Sequence, residues 1–221
     1  MKNISISLIS AFVIISSMAL TDNVAQSSSN RAVIQQVHNK VQARTVSEPV
    51  WKNAGVAKGL DQGDSIRTGS SSRVEVKYSD GTITRLGSNS VMKITHTKDS
   101  KRTGLKLLIG KLWLKVTKGQ GLLQIVTPTA LASVLGTELL VTNDDKDVSH
   151  VTTLDGLVEV TSNSGEKVLV HPGEWVEIAP GKPMEKPTPF DWASLKKNER
   201  FILDSTILAD KDDFKDENNW K

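Results

Sequence analysis

The chain contains no cysteine, and aromatic residues make up 5% of its 221 residues. Without thiols it can form no disulfide, thiolate metal site or cysteine nucleophile, and it has no N-terminal cysteine for lipid attachment. Four histidines, at positions 38, 96, 150 and 171, are far apart, and none stands in a ligand spacing such as H-x-x-x-H. We therefore expect neither a metal nor a cofactor.

Long apolar runs are also missing after the N-terminus. Residues 1–20 begin with Met1-Lys2 and continue with an apolar stretch that five serines interrupt, about 17 residues long. This pattern predicts a signal peptide over residues 1–25, cleaved after Ala19 or Ala25, with an uncleaved anchor as the alternative. We expect a periplasmic or secreted protein with no transmembrane span after cleavage. The polar residues 26–31 would form a tether.

The composition favours strands, because valine, isoleucine and threonine account for 54 residues. Between Arg73 and Tyr78 apolar and polar residues alternate, and an Asp-Gly turn follows. Asp155-Gly156 and Ser164-Gly165 predict two more hairpin turns of the same kind. Leucines alternate on both sides of Gly110 but with opposite parity, which predicts a bulge or corner there. The prediction is one all-β domain of many short strands, with a small appendage.

The ends of this domain follow from local composition. Residues 32–43 fit either a helix or two strands that turn at His38-Asn39, and strands are favoured by the resemblance described next. The domain would cover residues 32–179, followed by a Pro-rich linker or edge wrap at 180–189. Residues 190–209 can place Trp192, Leu195, Phe201 and Ile202 near one face of a short helix with Asp191 as N-cap. Residues 210–221 read as a disordered acidic tail.

An ordered set of short motifs resembles the FecR domain family over about residues 32–178. The motifs are Gly63-Asp64, Asp80-Gly81 with Thr82, Thr127-Pro128, Gly136-Thr137, Asp155-Gly156 and Pro172-Gly173-Glu174. The resemblance implies a β-solenoid-like or barrel-like extracytoplasmic domain. In the best-known members such a domain receives a signal from an outer-membrane receptor and passes it to a sigma factor. The cytoplasmic anti-sigma region and the central membrane helix of that plan are not found in this sequence.

Taken residue by residue, the motif positions have a structural reading. The glycines stand where a strand must turn or pack closely. Asp64, Asp80 and Asp155 are expected to accept hydrogen bonds from nearby backbone amides, as in Asx turns. Asn143 and the acids of Asp144–Asp147 could bind calcium, but we expect a solvated loop tip here.

Uneven charge points to a candidate binding surface. Residues 93–118 contain eight bases and one acid, whereas the whole chain has a net charge of +3. Strand alternation puts Lys111, Trp113 and Lys115 on one face, with leucines on the other. An exposed indole between lysines could hold an anionic glycan, a phospholipid headgroup or an acidic partner. The alternative is that Trp113 packs beneath the C-terminal helix or the linker.

The sequence thus predicts a non-enzymatic binding or sensor module of the bacterial envelope that contacts a protein or an anionic glycan. The partner would bind an exposed edge strand or the basic face, and the expected role is signal-responsive regulation. A cell-wall or carbohydrate binder using Trp51, Trp113 or Trp175 is the alternative. An envelope hydrolase is less favoured, since no nucleophile, base and orienting group can be named together. Nucleic acid is disfavoured by the export signal and by the lack of an aromatic-rich binding motif.

Overall fold

The computed structural model describes residues 32–96, 103–119 and 122–203. The predicted signal peptide, tether and acidic tail lie outside these ranges. The strands are β1 Ala32–His38, β2 Val41–Arg44, β3 Lys52–Asn53, β4 Gly59–Leu60, β5 Ser65–Thr68, β6 Arg73–Tyr78, β7 Ile83–Leu86, β8 Val91–His96, β9 Thr103–Lys115, β10 Leu123–Val126, β11 Ala130–Val134, β12 Glu138–Asn143, β13 Ser149–Asp155, β14 Val158–Ser162, β15 Lys167–Val170, β16 Glu174–Ile178 and β17 Thr188–Pro189. The helices are α1 Trp192–Asn198 and α2 Arg200–Leu203.

The strands pair into two layers that share β9. Layer A has the order β4, β1, β6, β7, β9, β12, β13, β16, β17. Layer B has the order β3, β2, β5, β8, β9, β10, β11, β14, β15. Neighbours are antiparallel except β9 and β10, which are parallel. The predicted all-β class is confirmed, and the sheet does not close into a barrel.

Strand β9 bends from one layer into the other at Gly110, the corner that the change of parity predicts. Its first half pairs with β8 and β10, and its second half pairs with β7 and β12. Gly110 has a φ of +99°, and a Cβ there would lie 2.6 Å from the Cα of Ser90. Only glycine meets both constraints without strain.

The hydrophobic core lies between the two layers. Layer A contributes Val76 and Leu114, and layer B contributes Ile66 and Ile125, all exposed by no more than 1%. Burying aliphatic side chains of this size stabilises a fold by about 1.5 to 3 kcal/mol each. The alternating patterns in the sequence therefore report the inward faces of both layers.

Two of the three predicted hairpins are present. Asp80-Gly81 joins β6 to β7, and Ser164-Gly165 joins β14 to β15. The hairpin predicted at Asp155-Gly156 is wrong, because β13 pairs within layer A and β14 within layer B. This turn instead carries the chain across the core. The first segment forms strands, as favoured, but β1 and β2 also belong to different layers.

The segment after the last long strand wraps an edge and then becomes helical. Met184 packs against the core, and β17 pairs with the start of β16. Asp191 caps α1, accepting hydrogen bonds from the amides of Ala193 and Ser194. Within the described residues no helix is long and apolar enough to cross a membrane.

Candidate interaction surfaces

The face of β9 singled out by the sequence is covered at its centre, Trp113, while Lys115 stays exposed. Lys111, Trp113 and Lys115 do lie opposite the core-facing Leu112 and Leu114, as alternation requires. Trp113, however, is only 4% exposed, because Ile202 of α2 packs against it together with Leu140 of β12. The expectation of an exposed indole is wrong, and the alternative, packing beneath the C-terminal helix, is the arrangement found.

Beneath α2 lies a buried ion pair that sequence reasoning missed. Arg85 Nε donates to Glu75 Oε2 at 2.7 Å, and both side chains are less than a tenth exposed. The guanidinium carbon lies 4.1 Å from the ring centre of Trp113. Nη1 donates to the carbonyl oxygen of Leu203 at 2.8 Å. Arg85 therefore links β6, β9 and the end of α2. The carboxylate of Glu75 neutralises the buried charge of its guanidinium group.

The two flanking lysines also have acidic partners. Lys111 Nζ donates to both carboxylate oxygens of Glu199, at 2.6 and 2.8 Å, and Lys115 Nζ lies 3.6 Å from Glu138 Oε2. The indole nitrogen of Trp113 donates to the other oxygen of Glu138 at 3.2 Å. The local excess of bases in the sequence therefore does not become an open basic face here. Whether these residues meet a partner stays a prediction.

Three of the family-like motifs meet at one end of the molecule. These motifs line a groove of about 420 Å³, to which they contribute Gly81, Gly136, Thr137 and Asp155. Another groove, of about 540 Å³, lies elsewhere, next to residues 180–183. A Cβ at Gly156 would lie 3.1 Å from the Cα of Thr137. These contacts place the glycines where chain segments approach closely.

The motif aspartates differ in their partners. Asp64 is 5% exposed and accepts hydrogen bonds from the amides of Val46 and Asp61. Asp80 accepts from the amide of Thr82 at 2.8 Å. Asp155 instead lies 4.0 Å from the ammonium of Lys118. Two of the three thus fix turns, and the third faces a cation.

The acidic loop after β12 is a tight turn. Asp144 Oδ1 accepts hydrogen bonds from the amides of Lys146 and Val148, at 2.9 and 2.8 Å. Asp147 completes the turn with a φ of +60°. Over the described ranges no group of three or more histidine or acidic side chains could hold a metal ion.

One histidine approaches both a hydroxyl and a carboxylate. His150 Nδ1 lies 3.3 Å from Thr142 Oγ1, and Nε2 lies 3.1 Å from Glu177 Oε2. These residues are cross-strand neighbours on the outer face of layer A, and the His150 ring packs against Trp175. Neither groove described above includes His150.

Strand β15 presents an open edge. Ser162 N donates to Glu166 O at the end of the β14–β15 hairpin. Because hydrogen-bonded pairs alternate along an antiparallel ladder, the bonds to β14 fall at Val168 and Val170, and the amide of Leu169 points away. No strand pairs with this outer edge anywhere in the part of the chain that the structure describes. The Leu169 side chain is 49% exposed.

The comparison with protein families identifies the class. The FecR protein model matches residues 64–159, from the start of β5 into β14. The match contains four of the motif pairs on which the resemblance was based. Residues 64–159 therefore match the FecR domain family, the family that the sequence motifs resemble.

Solved structures share the fold. Two crystal structures of a candidate anti-sigma factor from Parabacteroides distasonis superpose with TM-scores of 0.53 and 0.52, at 19% and 20% sequence identity. The matches cover 62% and 61% of this chain and 63% and 62% of the other, so the chain spans just under two thirds of the proteins it matches. None of the curated proteins compared with the chain matches it.

Proposed function

We propose that the chain is a non-enzymatic, extracytoplasmic regulatory module that binds a protein partner of the envelope by accepting a strand at the edge of β15. The FecR domain and its fold relatives, which include a candidate anti-sigma factor, support a role in signal regulation. The single observation that carries the mode of binding is the open edge of β15 beside the half-exposed Leu169. Unpaired strand edges are sites of β-augmentation.

The helices pack on layer A, and the segment after β16 reaches layer B at the β14–β15 turn, where the amide of Met184 donates to Glu166 Oε2 at 3.0 Å. Strand β17 covers the start of β16, and α2 covers Trp113. At the other end of layer B, the short β3 covers part of β2. Of the two edge strands of layer B in residues 32–96, 103–119 and 122–203, β15 with four residues is longer than β3 with two, and its outer edge has no strand partner.

A carbohydrate site based on the tryptophans has less support. Trp113 is buried, and Trp175 packs against the ring of His150. The guanidinium groups of Arg44 and Arg67 lie over the ring of Trp51. Sugar binding uses open indole faces, which these three do not offer.

Two variants at one position test the proposal. Leu169→Pro removes the outward amide and leaves the bonds to β14, since proline is tolerated at a strand edge. Leu169→Ala removes the same side chain and keeps the amide. A pull-down from envelope extract should recover the same protein with wild type and Leu169→Ala, and lose it with Leu169→Pro.

Thermal melting checks that both variants fold. Hydrogen exchange then locates the binding site on the wild-type protein. The amide of Leu169 should gain protection when the captured protein is added to wild type. Equal capture by Leu169→Pro and Leu169→Ala would show that the partner does not add a strand here.

A further inference from the structure

A row of basic residues crosses the outer face of layer B. Register places Arg44 opposite Ser65, Ser65 opposite Lys93, and Lys93 opposite Lys106, across four neighbouring strands. Residues paired in this way point to the same side of a sheet. Arg44 and Lys93 are exposed and Lys106 is half-buried. The row is about 14 Å long, because it spans three distances of about 4.8 Å between neighbouring strands.

This arrangement has an electrostatic cost. Lys93 and Lys106 are direct cross-strand neighbours, and like charges in that position destabilise a sheet. Two acids near Arg44 are engaged elsewhere: Glu48 bonds Lys52 at 2.9 Å, and Asp64 is buried against backbone amides. An anion bound along the row would relieve this repulsion.

Exposed aliphatic side chains stand at the end of the row. Val46 and Val50 are 71% and 65% exposed, and both lie in the loop between β2 and β3. Arg44 begins this loop and Trp51 ends it, with the Arg44 guanidinium carbon 4.9 Å from the indole centre. Aliphatic residues and tryptophan beside cations are typical of surfaces that sit at the membrane–water interface.

We propose that this end of layer B binds the surface of an anionic phospholipid membrane. Val46 and Val50 enter the headgroup region, while Arg44, Lys93 and Lys106 meet lipid phosphates. The flat row suits an extended anionic surface, and the apolar loop tip distinguishes a bilayer from an acidic protein, which would need no inserted valines. This site is separate from the edge of β15, so either proposal can fail alone.

The absence of cysteine from the sequence allows a local test in the full chain. Val50→Cys and Leu135→Cys each introduce one thiol for a polarity-sensitive fluorophore, at positions that are both 65% exposed. Vesicles are made of phosphatidylcholine with or without phosphatidylglycerol. The label at 50 should shift to the blue on phosphatidylglycerol vesicles only, and the label at 135 should not.

Charge reversal then tests the row. Lys93→Glu with Lys106→Glu should raise the lipid concentration for half-maximal shift at position 50 by about 20-fold or more, since each cation near an anionic surface contributes a factor of about 5. The matched control is the double variant Lys146→Glu with Lys167→Glu, which should change this lipid concentration little.

Three results would overturn the proposal. Equal shifts at 50 and 135 would show that another part of the chain binds the vesicle. Binding without any shift at 50 would show adsorption by charge alone, as to any polyanion or acidic protein. A shift on vesicles of phosphatidylcholine alone would show that the basic row is not required.

Discussion

Arg85 and Glu75 face each other across β6 and β7 and form an ion pair 2.7 Å long beneath α2. The indole of Trp113 lies on one side of the guanidinium, and the carbonyl group of Leu203 accepts one of its hydrogen bonds. A charged pair thus occupies the position where a hydrophobic cluster would be expected. It links the C-terminal helices to the sheet through hydrogen bonds as well as through packing.

Removing one member of this pair should destabilise the fold strongly. Arg85→Met leaves the Glu75 carboxylate buried without its partner, and such a loss costs about 3 to 5 kcal/mol. Urea unfolding measures the change. The double variant Arg85→Met with Glu75→Met should recover much of the loss, because no charge then remains buried. A double variant that is as unstable as the sum of the singles would contradict this account.

The glycines at two turns should differ in tolerance. Gly156 and Gly165 have similar positive φ values, +83° and +89°, so alanine strains the backbone equally at both, by about 1 kcal/mol. A Cβ at Gly156 would also press on Thr137, whereas one at Gly165 meets nothing within 4 Å. We expect Gly156→Ala to lose about 1 to 3 kcal/mol more than Gly165→Ala in denaturant unfolding. Equal losses would exclude the close approach.

The single tyrosine reports on the core at alkaline pH. Burial raises the pKa of Tyr78, which is 3% exposed, above its ordinary value. Because the folded state holds this proton more tightly than the unfolded state, the stabilisation is complete below about pH 10, the unfolded value, and is lost as pH rises further.

Absorbance of phenolate against pH measures this directly, since no second tyrosine interferes. Ionisation should coincide with alkaline unfolding seen by circular dichroism, and in urea it should return to about pH 10. Tyr78→Phe should move alkaline unfolding to higher pH. Phenolate formation in the fully folded protein near pH 10 would show that the side chain reaches water.

The C-terminal helices should open without unfolding the sheet. Ile202 is 2% exposed, whereas α1 has no buried residue among its seven, so few side chains hold the pair. Ile202→Ala should remove hydrogen-exchange protection from α1 and α2 while the core strands keep theirs. Trp192→Ala, at a 43% exposed site that packs on Phe190, is the control and should leave α2 protected. Loss of protection in β9 as well would show one cooperative unit.

This arrangement also revises one expectation for Lys111. The sequence placed Lys111 on a candidate binding face, where reversing its charge would affect binding alone. Lys111 bonds Glu199 in the helix connection, so Lys111→Glu should loosen α1 and α2. The Ile202→Ala variant provides the reference for that effect.

Sequence patterns predicted local structure well where neighbours along the chain decide it. The alternation from Arg73 to Tyr78 and the parity change at Gly110 are such cases, and both are found. The sequence could not predict which strands pair with each other. Asp155-Gly156 has the composition of a hairpin turn, yet the next strand pairs with β11, because core packing decides between layers.

The site was harder to predict for the same reason. Alternation correctly separated Trp113 from the leucines but could not say that α2, about 90 residues later, would cover it. Trp192 was predicted to share one helical face with Ile202, but Trp192 is 43% exposed and packs on Phe190, whereas Ile202 is buried. The side chain of Phe201, on the same predicted face, lies outside the described residues. The ion pair between Glu75 and Arg85 could have been predicted from the alternation. Both residues lie on the outward face of the predicted hairpin, directly opposite each other.

Because β9 is shared, it divides the strands by order of synthesis. Every described strand before β9 pairs with β9 or with another early strand, and every strand after it pairs with β9 or with another late strand. A ribosome that has released Lys115 has therefore supplied all the strand partners that the first half requires. That half can form as the chain emerges, and β9 then offers its two remaining edges, one in each layer, as templates on which the second half assembles.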